Sequence, residues 1–247
     1  WVRFAALVFA PAVLILFAAC GAGDEPARVE PVQTPQIVQT PEPTPAPTVQ
    51  KMPNLQAELL AEKNSSTDSP IGRFDFKNHT YKIPRGWQDS DGKDVELKNG
   101  RREMEMTDQV ERIGFSHIAT RYFDATGDGN DEAIVILSID TGGSAKPHVV
   151  YVFGWKSDEP EPLWFFRTGD RADGGLKDIR LENGEFLIEL FGQDRYIVGE
   201  LDTAKIFGDE EQLCCPTHFT RSRYKWNGSN FRLEGKRLTF LTADPNA

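Results

Sequence analysis

The sequence predicts a mainly β fold, an antiparallel meander or sandwich with propeller-like hairpins, preceded by a disordered tether. Three observations predict it. Two Asn-Gly turns, Asn183-Gly184 and Asn227-Gly228, each sit between short apolar runs, and Asn-Gly supplies the positive φ that a tight hairpin needs. From Ile71 to Leu241, short runs rich in Val, Ile, Phe, Tyr and Trp alternate with turn residues, and hardly a helical period appears among them. At Ile71 the composition also changes, from proline-rich and polar to aromatic and aliphatic.

The chain opens Trp1-Val2-Arg3, continues as an apolar run from Phe4 to Ala19 and reaches Cys20-Gly21. One positive charge, a short apolar stretch and small residues before the break predict a secretory signal over residues 1–19, and the run is short for a membrane span. Phe17-Ala18-Ala19-Cys20 resembles the lipobox of bacterial lipoproteins, with Phe17 a departure at its first position. That resemblance implies that Cys20 carries a palmitate-type lipid and becomes the mature N-terminus; an ordinary signal cleaved nearby is the alternative. Gly21, rather than Asp, follows the cysteine, which by the same resemblance implies the outer membrane or cell surface.

Residues 20–53 form the lipid-anchored linker. Pro26, Pro31, Pro35, Pro41, Pro43, Pro45, Pro47 and Pro53 alternate with Thr, Glu, Gln and Val. Such a segment favours extended polyproline geometry at ~3.1 Å per residue, a reach on the order of 90 Å. Residues 54–70 are a short helix and linker: Leu55, Leu59 and Leu60 share one face of a two-turn helix that the Asn64–Pro70 stretch ends. Residues 71–241 are the β-rich domain, long enough to bury its own core.

Within it, Phe74 and Phe76, then Tyr81 and Ile83, alternate with polar residues around Asn78-His79, which predicts a hairpin. Val95 and Leu97 predict a short strand closed by Asn99-Gly100. The charged stretch Arg101 to Arg112 fits a short helix or a solvated loop. Ile113–Phe123 and Ala133–Ile139 predict an antiparallel pair, Val149–Trp155 a further strand, and Leu163–Phe166 another after a Pro160/Pro162 break. Leu176–Leu181 with Phe186–Phe191, and Phe219–Trp226 with Phe231–Leu238, are the two Asn-Gly hairpins.

Between the first long pair lies Asp124-Ala125-Thr126-Gly127-Asp128-Gly129-Asn130-Asp131-Glu132. Ca²⁺ takes six to eight oxygens from alternating positions of a tight loop with a glycine at the bend. Asp124, Thr126, Asp128, Asn130 and Glu132 offer oxygens at alternate positions, and Gly129 the bend. The alternative is a metal-free turn, in which the glycines supply positive φ and Asp and Asn bond the local backbone. Crowded carboxylates repel one another unless something neutralises them, which keeps the metal reading open beside the metal-free turn. The loop resembles the calcium loops of FG-GAP and VCBS repeats from integrin-type β-propellers, over about a dozen residues, with Thr126 and Glu132 as departures. Thr126-Gly127-Asp128-x-x-Asp131 recurs as Thr168-Gly169-Asp170-x-x-Asp173, which fits either a repeat or chance similarity between Gly/Asp turns.

Cys214 and Cys215 are adjacent. In an oxidising compartment they fit a vicinal disulfide or a bridge to a partner; with His218 they fit part of a soft-metal site; reduced thiols are the remaining reading. Asp170, Arg171 and Asp173 form a polar turn that fits either a ligand site, with His218, or a loop held by its own salt bridges. Cys214–Arg221 and Thr168–Gly175 resemble segments of uncharacterised bacterial envelope domains, a resemblance that implies no activity. Trp155, Trp164, Phe165, Phe166, Tyr224 and Trp226 fit a core better than a sugar-stacking platform.

No Gly-x-Ser-x-Gly elbow, His-Glu-x-x-His, phosphate-binding glycine loop or dinucleotide fingerprint is present, and His79, His117, His148 and His218 lie far apart. Net charge is −10, and −11 without residues 1–19, whose one charged residue is Arg3. Such a surface repels phosphate backbones, so nucleic acid is excluded as a partner. The expectation is a lipid-anchored envelope protein presenting a β-rich, calcium-stabilised binding domain to another envelope protein or a glycan. The alternatives are an envelope hydrolase or an inhibitor of another envelope protein.

Overall fold

The computed structural model describes residues 55–82, 94–108, 111–170, 174–197, 204–205 and 216–244, all within the second of the chain's two units, 51–247. The expected signal over residues 1–19, Cys20 and the expected tether over residues 20–53 lie outside the described residues. Helix α1 (Leu55–Ala61) and two 3-10 turns (Pro70–Arg73 and Phe76–Asn78) lead into five short strands: β1 (Thr80–Lys82), β2 (Asp94–Glu96), β3 (Arg101–Arg102), β4 (Glu105–Met106) and β5 (Glu111–Arg112). Longer strands follow: β6 (Gly114–Phe123), β7 (Glu132–Asp140), β8 (His148–Lys156), β9 (Glu159–Arg167), β10 (Leu176–Glu182) and β11 (Glu185–Phe191). A short pair, β12 (Tyr196–Ile197) and β13 (Ala204–Lys205), precedes β14 (His218–Trp226) and β15 (Phe231–Leu241).

Two antiparallel meanders carry the fold, a five-stranded sheet in the order β3-β6-β7-β8-β9 and a four-stranded sheet in the order β10-β11-β14-β15. The fold is thus the expected mainly β meander and sandwich. Between the sheets, Ile134, Ile136, Val150, Val152, Trp164 and Phe166 pack against Ile179, Phe186, Ile188, Leu190, Tyr224 and Phe231. The opposite face of the first sheet is buried too. There Val135, Leu137, Val149, Tyr151 and Phe153 meet Ile71, Phe76, Tyr81, Val95 and Leu97 from the segment that precedes it. Burial on both faces explains why β7 reads as an unbroken apolar run rather than an alternation.

A bulge between His117 and Ala119 resets the phase of β6. Before it, Phe115 points into the outer core; after it, Ala119 joins the core between the sheets, with Phe123 packed against it. The same shift carries Arg121 to the seam between the sheets.

Three expectations are corrected. Phe74 and Phe76 do not belong to a hairpin strand: Pro70 starts a 3-10 turn, and Asp75 caps a second by accepting from Lys77 N at 3.0 Å and Asn78 Nδ2 at 2.7 Å. β1 pairs forward with β2 instead. Arg101–Arg112 is neither helix nor plain loop but holds β3, β4 and β5. Pro160 and Pro162 do not break the strand: β9 is the sheet's edge, where a missing N–H costs no ladder bond, so both prolines sit inside it. Of the two readings of the recurrence at Thr168, the topology favours chance similarity. Thr126 lies in the β6–β7 turn within one sheet, whereas Thr168 follows that sheet's last strand.

Candidate functional site

The acidic loop closes the β6–β7 hairpin and folds around its own carboxylates. Asp124 Oδ1 accepts from Gly127 N at 2.6 Å and Asp128 N at 3.0 Å, and its Oδ2 accepts from Gly129 N at 2.9 Å. Asp128 Oδ1 accepts from Asn130 N at 2.8 Å and Asn130 Nδ2 at 3.1 Å. Gly127 and Gly129 hold φ of +79° and +91°, which lets three successive N–H groups turn toward one carboxylate.

Glu132 sits beneath the turn, with only 3% of its surface exposed. Its Oε2 accepts from Ala125 N at 2.7 Å and Thr126 N at 2.9 Å, and Thr126 Oγ1 lies 3.3 Å from Oε1. Burial pushes its carboxyl up to about 7; those backbone hydrogen bonds oppose the rise, and the nearby Asp128 charge adds to it. Asp131 points the other way, accepting from Thr67 Oγ1 at 2.5 Å and Ser69 Oγ at 3.5 Å.

Thr67 and Ser69 belong to a strap that runs from α1 to the first 3-10 turn. Its Leu60 is buried among the core residues between the sheets. Asn64 Oδ1 accepts from Thr120 N at 2.8 Å, Ser65 N donates to Thr120 O at 3.2 Å, and Ser65 Oγ accepts from Tyr122 N at 2.8 Å. The strap thereby occupies backbone groups along the part of β6 that β3 leaves unpaired, an alternative to an open sheet edge.

The donors of the loop suit a hard cation in kind: two aspartates, an amide, a hydroxyl and a second type of carboxylate, all oxygen. Their present partners are the loop's own N–H groups, and among the described residues no three His, Cys, Asp or Glu side chains converge as a ready-made metal cage. Nor does any lysine or arginine among the described residues pair with Asp124, Asp128, Asp131 or Glu132.

The other sequence-predicted sites are less compact. Asp170 is half-buried and already engaged; Arg171, Asp173, Cys214 and Cys215 lie outside the described residues. His218 opens β14, with Nδ1 2.8 Å from Thr217 Oγ1 and 3.2 Å from Gln193 Nε2. Its backbone carbonyl accepts from Gly192 N at 2.8 Å, and Gly175 O accepts from the adjoining Phe191 N at 2.8 Å, so Gly175 and His218 share one end of the second sheet. The aromatics form no exposed platform. Trp164, Phe166 and Tyr224 are buried, and Trp155, Phe165 and Trp226 pack against one core or the other.

A second polar constellation was not anticipated from the sequence. At the seam between the sheets, Arg121 Nη1 donates to Asp178 Oδ1 at 2.7 Å and also to Ile179 O. Lys63 Nζ donates to Asp178 Oδ2 at 2.7 Å, and Arg180 Nη1 lies 3.2 Å from the same oxygen. On the neighbouring strand Glu189 is 1% exposed and pairs with Lys177 at 2.5 Å, Arg180 at 3.0 Å and Arg221 at 2.6 Å. A lone arginine inside an apolar strand, Ile118–Phe123, was the available signal, since a charge at an inward position requires a buried partner.

No family model, curated protein or solved structure matches the chain. Among the described residues no helix is long and apolar enough to cross a membrane.

Proposed function

We propose that this chain is an exported envelope protein, lipid-anchored through Cys20, whose proline-rich tether carries a β-sandwich binding domain steadied by Ca²⁺ at the acidic loop. The observation that supports the calcium is charge: four carboxylates within nine residues have no cationic partner among the described residues. A divalent ion removes that repulsion. Asp124, Asp128 and Asn130 present oxygens on the open side of the turn, while Thr126 and Glu132, facing each other, brace it from below. Because the ion competes with hydrogen bonds already made to Asp124 and Asp128, its affinity falls in the weak class of extracellular modules, about 10⁻⁴ to 10⁻³ M. A structural ion of that affinity fits a compartment in which millimolar calcium is present and reads as bracing for a binding surface.

Thermal unfolding with Ca²⁺ and with chelator, repeated on Asp128→Ala, tests this. An ion at 100 times its dissociation constant adds ~2.7 kcal/mol, a rise of several degrees in Tm. A rise that Asp128→Ala abolishes supports the reading; equal midpoints with ion and chelator reject it.

A further inference from the structure

We infer that the seam between the two sheets is a binding site for a small organic anion, one carboxylate or phosphate group carried on an apolar body. The inference rests on the reading of the sandwich as a binding module, but not on the acidic loop. A cleft of about 360 Å³ opens where the strap, β6 and β10 meet, within the size range of small-molecule pockets. Lys63, Arg121 and Arg180 line it with Asp178, and the ion-pair network they join, completed by Lys177 and Arg221 against Glu182 and Glu189, carries +5 − 3 = +2. The chain as a whole carries −10. A positive network in so acidic a protein attracts small anions, with the Asp178 charge already covered by Lys63, Arg121 and Arg180.

The division of labour inside the cleft is unequal. Arg121 is buried beneath, with Nη1 on Asp178 and Ile179 O, and Arg180 is spent on Asp178, Glu182 and Glu189. These two fix and neutralise the carboxylate of Asp178. Lys63 differs. Its side chain is 53% exposed, and of its three N–H donors one goes to Asp178. Ser65 Oγ accepts from Tyr122 N, which leaves its own hydrogen free to donate. Lys63 Nζ and Ser65 Oγ are thus the groups that meet the oxyanion. Phe123 and Leu181 form apolar walls beside them, and these select an anion with an aromatic or branched body over a bare inorganic ion.

Isothermal titration of the full chain with benzoate, phenyl phosphate, inorganic phosphate and uncharged benzyl alcohol tests the assignment. Benzoate or phenyl phosphate should bind in the millimolar range or tighter, inorganic phosphate more weakly, and benzyl alcohol not at all. Lys63→Gln should weaken benzoate about tenfold, the worth of one charge-assisted hydrogen bond. Lys63→Arg should retain it, and Lys146→Gln, remote from the cleft, should leave it unchanged. No heat with either aromatic anion would overturn the inference, and so would affinity unaltered in Lys63→Gln with its melting temperature preserved. Inorganic phosphate bound as tightly as benzoate would overturn the role of the apolar walls. Repeating the benzoate titration in chelator separates the two readings: binding that persists while Ca²⁺ leaves Tm unmoved retains the cleft and rejects the calcium.

Discussion

Arg121 on β6 and Asp178 on β10 form an ion pair at 2.7 Å across the seam between the two sheets, and each side chain is only 5% exposed. Their attraction acts where water does not screen it, and removal of one partner strands the other in the interior. Arg121→Met is expected to destabilise the domain by about 3 kcal/mol, the low end for a broken buried pair because Lys63 remains on Asp178. Arg121→Met with Asp178→Leu should regain most of that loss. Urea unfolding of the wild type, both single variants and the double variant measures the coupling; single costs that simply add would refute it.

Asp178 also predicts acid lability. Burial alone would raise its carboxyl, but hydrogen bonds from Lys63 and Arg121 outweigh burial and hold it at about 2, below the usual 3.8. A depressed carboxylate contributes stability that is present above its unfolded value and is lost as pH falls through its folded one. Stability should therefore decline between pH 3.8 and about 2. In Asp178→Asn that part of the decline should be missing when unfolding is followed against pH.

Glu132 has the opposite sign. Its folded carboxyl titrates at about 7 against 4.5 in the unfolded chain. The contribution of the neutral form is complete below pH 4.5 and is lost as pH rises to about 7. Glu132→Gln keeps an acceptor for the Ala125 and Thr126 N–H groups and a donor for Thr126 Oγ1, without the ionisation. The variant should equal the wild type at pH 4.5 and exceed its melting temperature at pH 8. A wild type as stable at pH 8 as its variant would sink the prediction.

Gly72 touches the strap from the far side. A Cβ built there would lie 2.5 Å from Thr67 O and 2.8 Å from Thr67 Cγ2. The first is backbone and cannot rotate away, and Thr67 is the residue that holds Asp131. Gly72→Ala should cost about 1–3 kcal/mol and speed amide exchange at Thr120 and Tyr122, which bond the strap. Unchanged exchange at both amides would show that the strap absorbs the methyl group.

The long hairpins were legible because their signals are local. Asn183-Gly184, both at positive φ, closes a two-residue turn, whereas Asn227 caps a four-residue loop by accepting from Ser229 N and Asn230 N; the apolar runs beside both have no polar alternative to burial. The acidic loop was legible for the same reason: its bends and its side-chain-to-backbone bonds span fewer than ten residues. What escaped was set by distance along the chain. Nothing near Arg121 announces Asp178, 57 residues later, and nothing near Phe76 tells that it will pack across Phe153 rather than form a strand. Pro160 and Pro162 were misread because whether a strand lies at an edge is a property of the whole sheet.

The strap determines where mechanical load enters the domain. A pull travelling along the chain from the N-terminal side meets α1 first, then the Leu60 burial, the Lys63–Asp178 contact and the bonds at Thr120 and Tyr122. Only beyond these does it reach the ladders of the two sheets. These contacts are fewer than the ladder bonds of nine paired strands, so a pull from this side is expected to loosen the lead-in before either sheet loses its register.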